Sequence, residues 1–207
     1  MKVSENKELK TQFIEKLQEK SAPVRTEIHV SDLTYCLRKA YFRKFENRKL
    51  SEQQLIFFLD GHQRHEGLQS LVSDVEAEKT VKKYGVVGHI DLASNNPIEI
   101  KTTRSRPNNN KPPHYFRQMA YYCLLTNSNK CSLITQYIND GFISFEDVEF
   151  TEQELDQYLK EMLDSRDRLQ KAYDMLNPKL LPFLADWQCN KCEFVERCEV
   201  IYEETKQ

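Results

Sequence analysis

Two short runs separated by five turn-forming residues constrain this chain more than anything else in it. Val86 to Leu92 and Ile98 to Thr103 read as strands, and Ala93-Ser94-Asn95-Asn96-Pro97 between them has the composition of a tight turn. Side chains on a strand alternate faces, so Glu99 and Lys101 share one face while Ile98 and Ile100 pack against the other. A hairpin through the turn brings Asp91, in Gly88-His89-Ile90-Asp91, alongside them.

Two carboxylates so placed can hold a hard divalent cation such as magnesium or manganese. A neighbouring ammonium, that of Lys101, can position a water or stabilise phosphate charge. The chemistry suggested is hydrolysis of a nucleic-acid backbone. A Glu-x-Lys pair on an exposed strand is also a common solvated cross-strand pair, so the rest of the chain must decide.

At 207 residues the chain is long enough to bury a sizeable core, and its formal charge of −2 neither demands nor excludes a polyanionic partner. No apolar run approaches the length of a membrane span, and Met1-Lys2-Val3-Ser4-Glu5-Asn6-Lys7 is too polar for a secretory signal, so the expected location is cytoplasmic, with no membrane partner. Six cysteines in a reducing compartment point to metal or cluster ligation rather than a disulfide framework.

Apolar spacing predicts an amphipathic helix from Glu5 to Glu19 (Leu9, Phe13, Ile14, Leu17) that Pro23 ends. A second helix is expected from Asp32 to Phe45 with Ser31 as its N-cap, and its apolar stripe is Leu33, Leu37, Ala40 and Tyr41. A third runs from Glu52 to Ser73, with Phe58, His62 or His65, Leu68 and Val72 on one side. Strands follow at Glu78 to Lys83 and at the two opening runs, then a polar loop from Arg104 to Pro113 containing Asn108-Asn109-Asn110, and a helix from Tyr115 to Leu125. Asn139-Asp140-Gly141 joins strands Cys131 to Ile138 and Phe142 to Phe150 as a hairpin. Thr151 with Glu154 is a capping box opening a helix to Met175, which Asn177-Pro178 stops before a cysteine-rich tail, Trp187 to Cys198. The alternation of helices and strands favours one α/β core with appended segments.

Several side chains could join the hairpin. His65 can supply a nitrogen ligand beside Asp91 and Glu99, although a lone helical histidine is more often structural. Gln118 and Tyr122, four apart, present an amide and a phenol on one helix face, where they could bind phosphate or orient a lysine; equally, Tyr121 and Tyr122 could be core and rim aromatics. Cys189, Cys192 and Cys198 are three clustered thiols, and distant Cys36 would complete a four-thiolate site stapling the chain ends; the spacing alone does not separate zinc from an iron-sulfur cluster. Cys123 and Cys131 read as ordinary buried thiols. Arg38, Lys39, Arg43 and Lys44, interleaved with Tyr35, Tyr41 and Phe42, could grip a nucleic-acid backbone or form a solvated face.

In order, Cys36 with Tyr41 beyond it, Gly61-x-x-x-His65-Glu66, Gly88-x-x-Asp91, Glu99-x-Lys101, Gln118-x-x-x-Tyr122 and the three tail cysteines resemble the RecB-like PD-(D/E)xK nucleases, specifically the CRISPR-associated Cas-four exonuclease family. Each motif is weak alone; their order is specific. One departure is Ile90-Asp91 where the usual pattern has Pro-Asp, a replacement common in this nuclease branch.

The resemblance implies a single RecB-like nuclease domain over residues 1–207, with a restriction-endonuclease-like α/β core at about 52–175: a mixed sheet flanked by helices. Cluster-binding elements at about 31–49 and 185–200 would join the N-terminal helix to the C-terminal tail. It implies that His65, Asp91, Glu99 and the Ile100 carbonyl bind magnesium or manganese, that Lys101 is the catalytic lysine, that Gln118 and Tyr122 position DNA, and that Cys36, Cys189, Cys192 and Cys198 ligate a 4Fe-4S cluster. The activity implied is DNA exonuclease action on single-stranded ends, 5'-to-3', trimming prespacers with CRISPR integrase partners in spacer acquisition, and compatible with a homo-oligomer. The alternatives are a related nuclease of DNA repair or of a mobile element or virus, and a non-cutting DNA-binding module.

Overall fold

The computed structural model describes residues 4–21, 25–46, 50–72, 75–105, 111–184 and 186–204. The expected stop at Pro23, the helix end at Ser73 and the Asn108-Asn109-Asn110 stretch lie outside the described residues. Helices are α1 (Lys7–Ser21), α2 (Val30–Thr34), α3 (Leu37–Phe45), α4 (Glu52–Gln69), α5 (Pro113–Thr126), α6 (Glu152–Asp174) and α7 (Val195–Glu204). Strands are β1 (Glu76–Lys83), β2 (Val86–Ala93), β3 (Pro97–Thr103), β4 (Lys130–Tyr137) and β5 (Phe142–Glu149).

The five strands form one sheet in chain order. It is mixed, because β3 and β4 run parallel while the other neighbours are antiparallel. Parallel neighbours need a crossover, and α5 supplies it. The resulting architecture is a helix-flanked mixed sheet with a restriction-endonuclease-like core. Gly141, at φ +61°, closes the expected β4–β5 hairpin. Thr151 Oγ1 accepts from the Glu154 N–H at 3.2 Å, the capping box that opens α6.

Core packing explains how the site is positioned. On one side Val30, Leu33, Phe42, Ile90, Tyr121, Met162 and Leu169 join α2, α3, α5 and α6 to β2. Full burial of side chains of this size contributes roughly 1.5–3 kcal/mol each. A separate cluster of Leu92, Ile100 and Ile134 receives Leu68 and Val72 from α4 and the segment after it. Gly88 lets α5 approach β2 closely, since a Cβ there would lie 2.8 Å from Leu125 Cδ1 and 3.1 Å from Tyr122 Cε1.

Three expectations change. The helix expected from Asp32 to Phe45 is two helices, because Tyr35 is extended and Cys36 becomes the N-cap of α3. The first of them is capped at His29, not Ser31, and the Asp32 carboxylate accepts the His29 N–H at 2.9 Å. On α1 only Leu17 of the apolar stripe is buried; Leu9 and Phe13 stay exposed, as does Phe58 on α4. Among the described residues, no helix is long and apolar enough to cross a membrane.

Candidate active site

β2 and β3 pair only beside their turn, at Leu92↔Ile98 and Ala93↔Pro97. Beyond those pairs the ladder opens and a side chain fills the gap: Asp91 Oδ2 accepts the Ile100 N–H at 2.7 Å. The other oxygen, Oδ1, lies 3.7 Å from His65 Nδ1 on α4. Gln69, one turn beyond His65, pins the end of α4 to this point of β2 by donating to the Asp91 carbonyl at 3.1 Å.

Glu99 is almost entirely buried, at 2 % exposure. Its Oε1 accepts from the Lys101 ammonium, while its Oε2 is buried with no hydrogen-bond partner. Lys101 also donates to Gln118 Oε1 at 2.8 Å; Gln118 Nε2 donates to Tyr122 Oη at 3.1 Å; and Tyr122 Oη donates to the His89 carbonyl at 2.7 Å. Each link in this relay runs from a donor to an acceptor, and Glu99 and Gln118 orient the ammonium from two sides. The close approach at Gly88 lets the phenol reach β2.

Electrostatics follow from burial. Desolvation pushes Glu99 up to about 7, and the Asp91 charge adds to this while Lys101 opposes it. Burial works against the charged form of Lys101, yet the Glu99 charge and hydrogen bond outweigh it and hold the lysine above its ordinary value. His65 is likewise raised: burial lowers it, but the Asp91 hydrogen bond and charge win.

These residues fit a hard divalent cation. A buried carboxylate oxygen without a partner, the Asp91 oxygen left over by the backbone bond, and a ring nitrogen beside it make an N,O donor set suited to magnesium or manganese. Among the described residues, no three His, Cys, Asp or Glu side chains converge into a ready-made cage, and the Lys101 ammonium sits on Glu99.

The tail returns to the N-terminal helices. Cys36, at the N-cap of α3, lies close enough to Cys189 and Cys198 for their charges to bear on it, and Cys192 feels Cys36 in turn. Burial raises the thiols of Cys36, Cys192 and Cys198, and at Cys198 the Arg38 guanidinium, 3.6 Å from Sγ, opposes the rise. Among the described residues these four thiols do not converge into a ready-made ligand set, although both chain ends bring them to one region.

Three of the basic residues considered for gripping DNA make contacts within the chain. Arg38 is 4 % exposed and donates to the Leu181 carbonyl at 2.9 Å. Lys39 and Arg43 both pair with Glu193, at 2.8 and 3.4 Å. The break at Tyr35 resets the helix phase and turns these side chains toward the C-terminal segment, which they hold in place. Gln69 was not visible as a site residue in the sequence, nor was Thr135, which pairs in register with Lys101 and carries a buried hydroxyl without a partner. A glutamine four residues after His65 is the one local signal that pointed to the first.

The profile of the PD-(D/E)XK nuclease superfamily matches residues 2–199. The crystal structure of SSO0001 superposes with a TM-score of 0.63 at 24% identity, covering 89% of this chain and 93% of that one. LHK-Exo in complex with dAMP, the alkaline exonuclease from Laribacter hongkongensis, superposes with a TM-score of 0.50 at 14% identity over 72% of this chain and 91% of that one. No curated protein matches the chain in sequence. The profile match spans Asp91, Glu99 and Lys101 and nearly every described element, and the chain belongs to the PD-(D/E)XK nuclease superfamily.

Proposed function

We propose that residues 1–207 act as one metal-dependent DNA exonuclease, in which Asp91, Glu99 and Lys101 carry the hydrolysis of phosphodiester bonds. The observation that carries this reading is the partnerless Glu99 Oε2 beside Asp91, with Lys101 held by both Glu99 and Gln118. His65, Asp91, Glu99 and the Ile100 carbonyl would hold magnesium or manganese. Such an ion, when bound, supplies Lewis-acid polarisation of the phosphate and acidifies water.

The chain's own residues do the rest. Asp91 keeps β2 and β3 in register through Ile100, and Gln69 keeps His65 opposite Asp91. Lys101 stays protonated and offers its charge to the phosphate oxygens, which stabilises charge developing there. Gln118 and Tyr122 orient that ammonium and position the DNA.

The exonuclease character of a structural neighbour supports action at ends. The ordered motifs support a Cas-four-type enzyme acting on single-stranded ends, 5'-to-3', in prespacer processing with integrase partners. Cys36, Cys189, Cys192 and Cys198 would hold its 4Fe-4S cluster, which closes the C-terminal segment over α3.

End-labelled single-stranded and duplex DNA, incubated with manganese or with chelator, tests the assignment. Metal-dependent shortening of single strands, lost in Lys101→Ala, is expected. Undiminished cleavage by that variant overturns the site, and a colourless, folded, zinc-containing protein overturns the cluster.

A further inference from the structure

A row of aromatic rings leads from the surface to Lys101. Trp187, the single tryptophan of the chain, is 61% exposed. Its ring lies 5.4 Å from that of His114, at an interplanar angle of 32°. His114 in turn meets Tyr35 at 5.2 Å and Tyr115, edge to face, at 4.8 Å. Lys101 Nζ sits 5.4 Å from the centre of the Tyr115 ring.

Three separate chain segments build this row, and a bond fixes two of them together. His114 and Tyr115 open α5 after Pro113, Tyr35 joins α2 to α3, and Trp187 belongs to the tail. Next to Tyr35, the Cys36 N–H donates to Oε1 of Gln188, the neighbour of Trp187, at 3.1 Å. Burial, with the Lys101 and Arg117 charges, keeps the His114 ring below its ordinary pKa. The exposed indole thus stands at the outer end of a continuous row of rings whose inner end is at Lys101.

We propose that Trp187, His114, Tyr35 and Tyr115 form a stacking platform for the unpaired bases of a single DNA strand whose backbone enters the Asp91–Glu99–Lys101 centre. This rests on the nuclease reading above and names which residues make the enzyme prefer single strands. Bases in a duplex stack on one another, and only an unpaired base has a free ring face to offer. A strand whose phosphate lies at Lys101 has its adjacent bases next to Tyr115 and His114, and Trp187 receives bases farther along.

The single tryptophan makes the test direct. Full-length protein in chelator is titrated with oligodeoxythymidylate and with an abasic strand of equal length, reading Trp187 emission and the anisotropy of end-labelled DNA. The base-bearing strand should quench the emission. Trp187→Leu should weaken its binding about tenfold while changing abasic binding less than about twofold, and Trp187→Phe should stay within about threefold of wild type. Binding of the base-bearing strand without an emission change overturns the platform, as does equal weakening of both strands by Trp187→Leu. Either result leaves the nuclease reading intact if metal-dependent cleavage persists. Absence of both binding and metal-dependent cleavage overturns the nuclease reading and the platform with it.

Discussion

Asp91 Oδ2 accepts the backbone N–H of Ile100 at 2.7 Å, at the point where β2 and β3 have stopped pairing with each other. A carboxylate thus does the work of a strand ladder while its other oxygen stays available beside His65. The opening between the strands and the acid that spans it are one feature, so the proposed metal site and the local fold depend on the same side chain.

Asp91→Asn and Asp91→Ala should therefore separate structure from chemistry. Asparagine keeps an oxygen acceptor for Ile100, whereas alanine leaves that N–H without its partner, at a cost of about 1–3 kcal/mol. Urea unfolding should show the alanine variant destabilised by that amount and the asparagine variant near wild type. Both should lose cleavage; an active Asp91→Asn protein would remove Asp91 from the site.

Gly88→Ala should harm activity without touching a reactive group. A methyl there meets Leu125 Cδ1, Tyr122 Cε1 and Val81 Cγ2 at 2.8, 3.1 and 3.2 Å, so these side chains, the Tyr122 ring among them, must shift. Overpacking of this kind costs about 1–3 kcal/mol. Displacement of Tyr122 and Gln118 releases Lys101 on one side, and a fall in kcat larger than any change in KM is the expected readout.

The metal-free protein should lose stability as pH rises from about 5 to about 7. Glu99 is pushed up to about 7 in the fold from 4.5 unfolded, so its contribution is complete below the lower value and is lost on ionisation. The raised His65 acts in the same direction, its share being lost as pH rises through its folded value. Comparing urea unfolding of wild type and Glu99→Gln across this range, in chelator, isolates Glu99. The variant should flatten the slope, with a difference on the order of 2 kcal/mol between the two ends.

Arg38→Ala should unfold the tail rather than weaken DNA binding directly. It removes a buried cation that holds the Leu181 carbonyl and faces Cys198, and leaving that carbonyl without its donor costs about 1–3 kcal/mol. Limited proteolysis should then cut near the C-terminal cysteines. A stable Arg38→Ala protein with weakened DNA affinity would instead favour Arg38 as a grip on the nucleic-acid backbone.

Much of this was legible from local rules. Alternation placed Glu99 and Lys101 together, Asn139-Asp140-Gly141 marked a hairpin, and Thr151 with Glu154 marked a helix start, because strand period, left-handed turns and capping involve only near neighbours. What the sequence by itself determined is therefore most of the elements, though not the split between α2 and α3 nor α7, and the residue types gathered on β2, β3 and α5. The tertiary structure alone decided that Tyr35 breaks a helix and turns Arg38 inward, that Gln118 reaches Lys101 across seventeen positions, and that β2 and β3 part at Asp91. Those outcomes depend on which surfaces pack together and exclude water, and no periodicity along one segment carries that information.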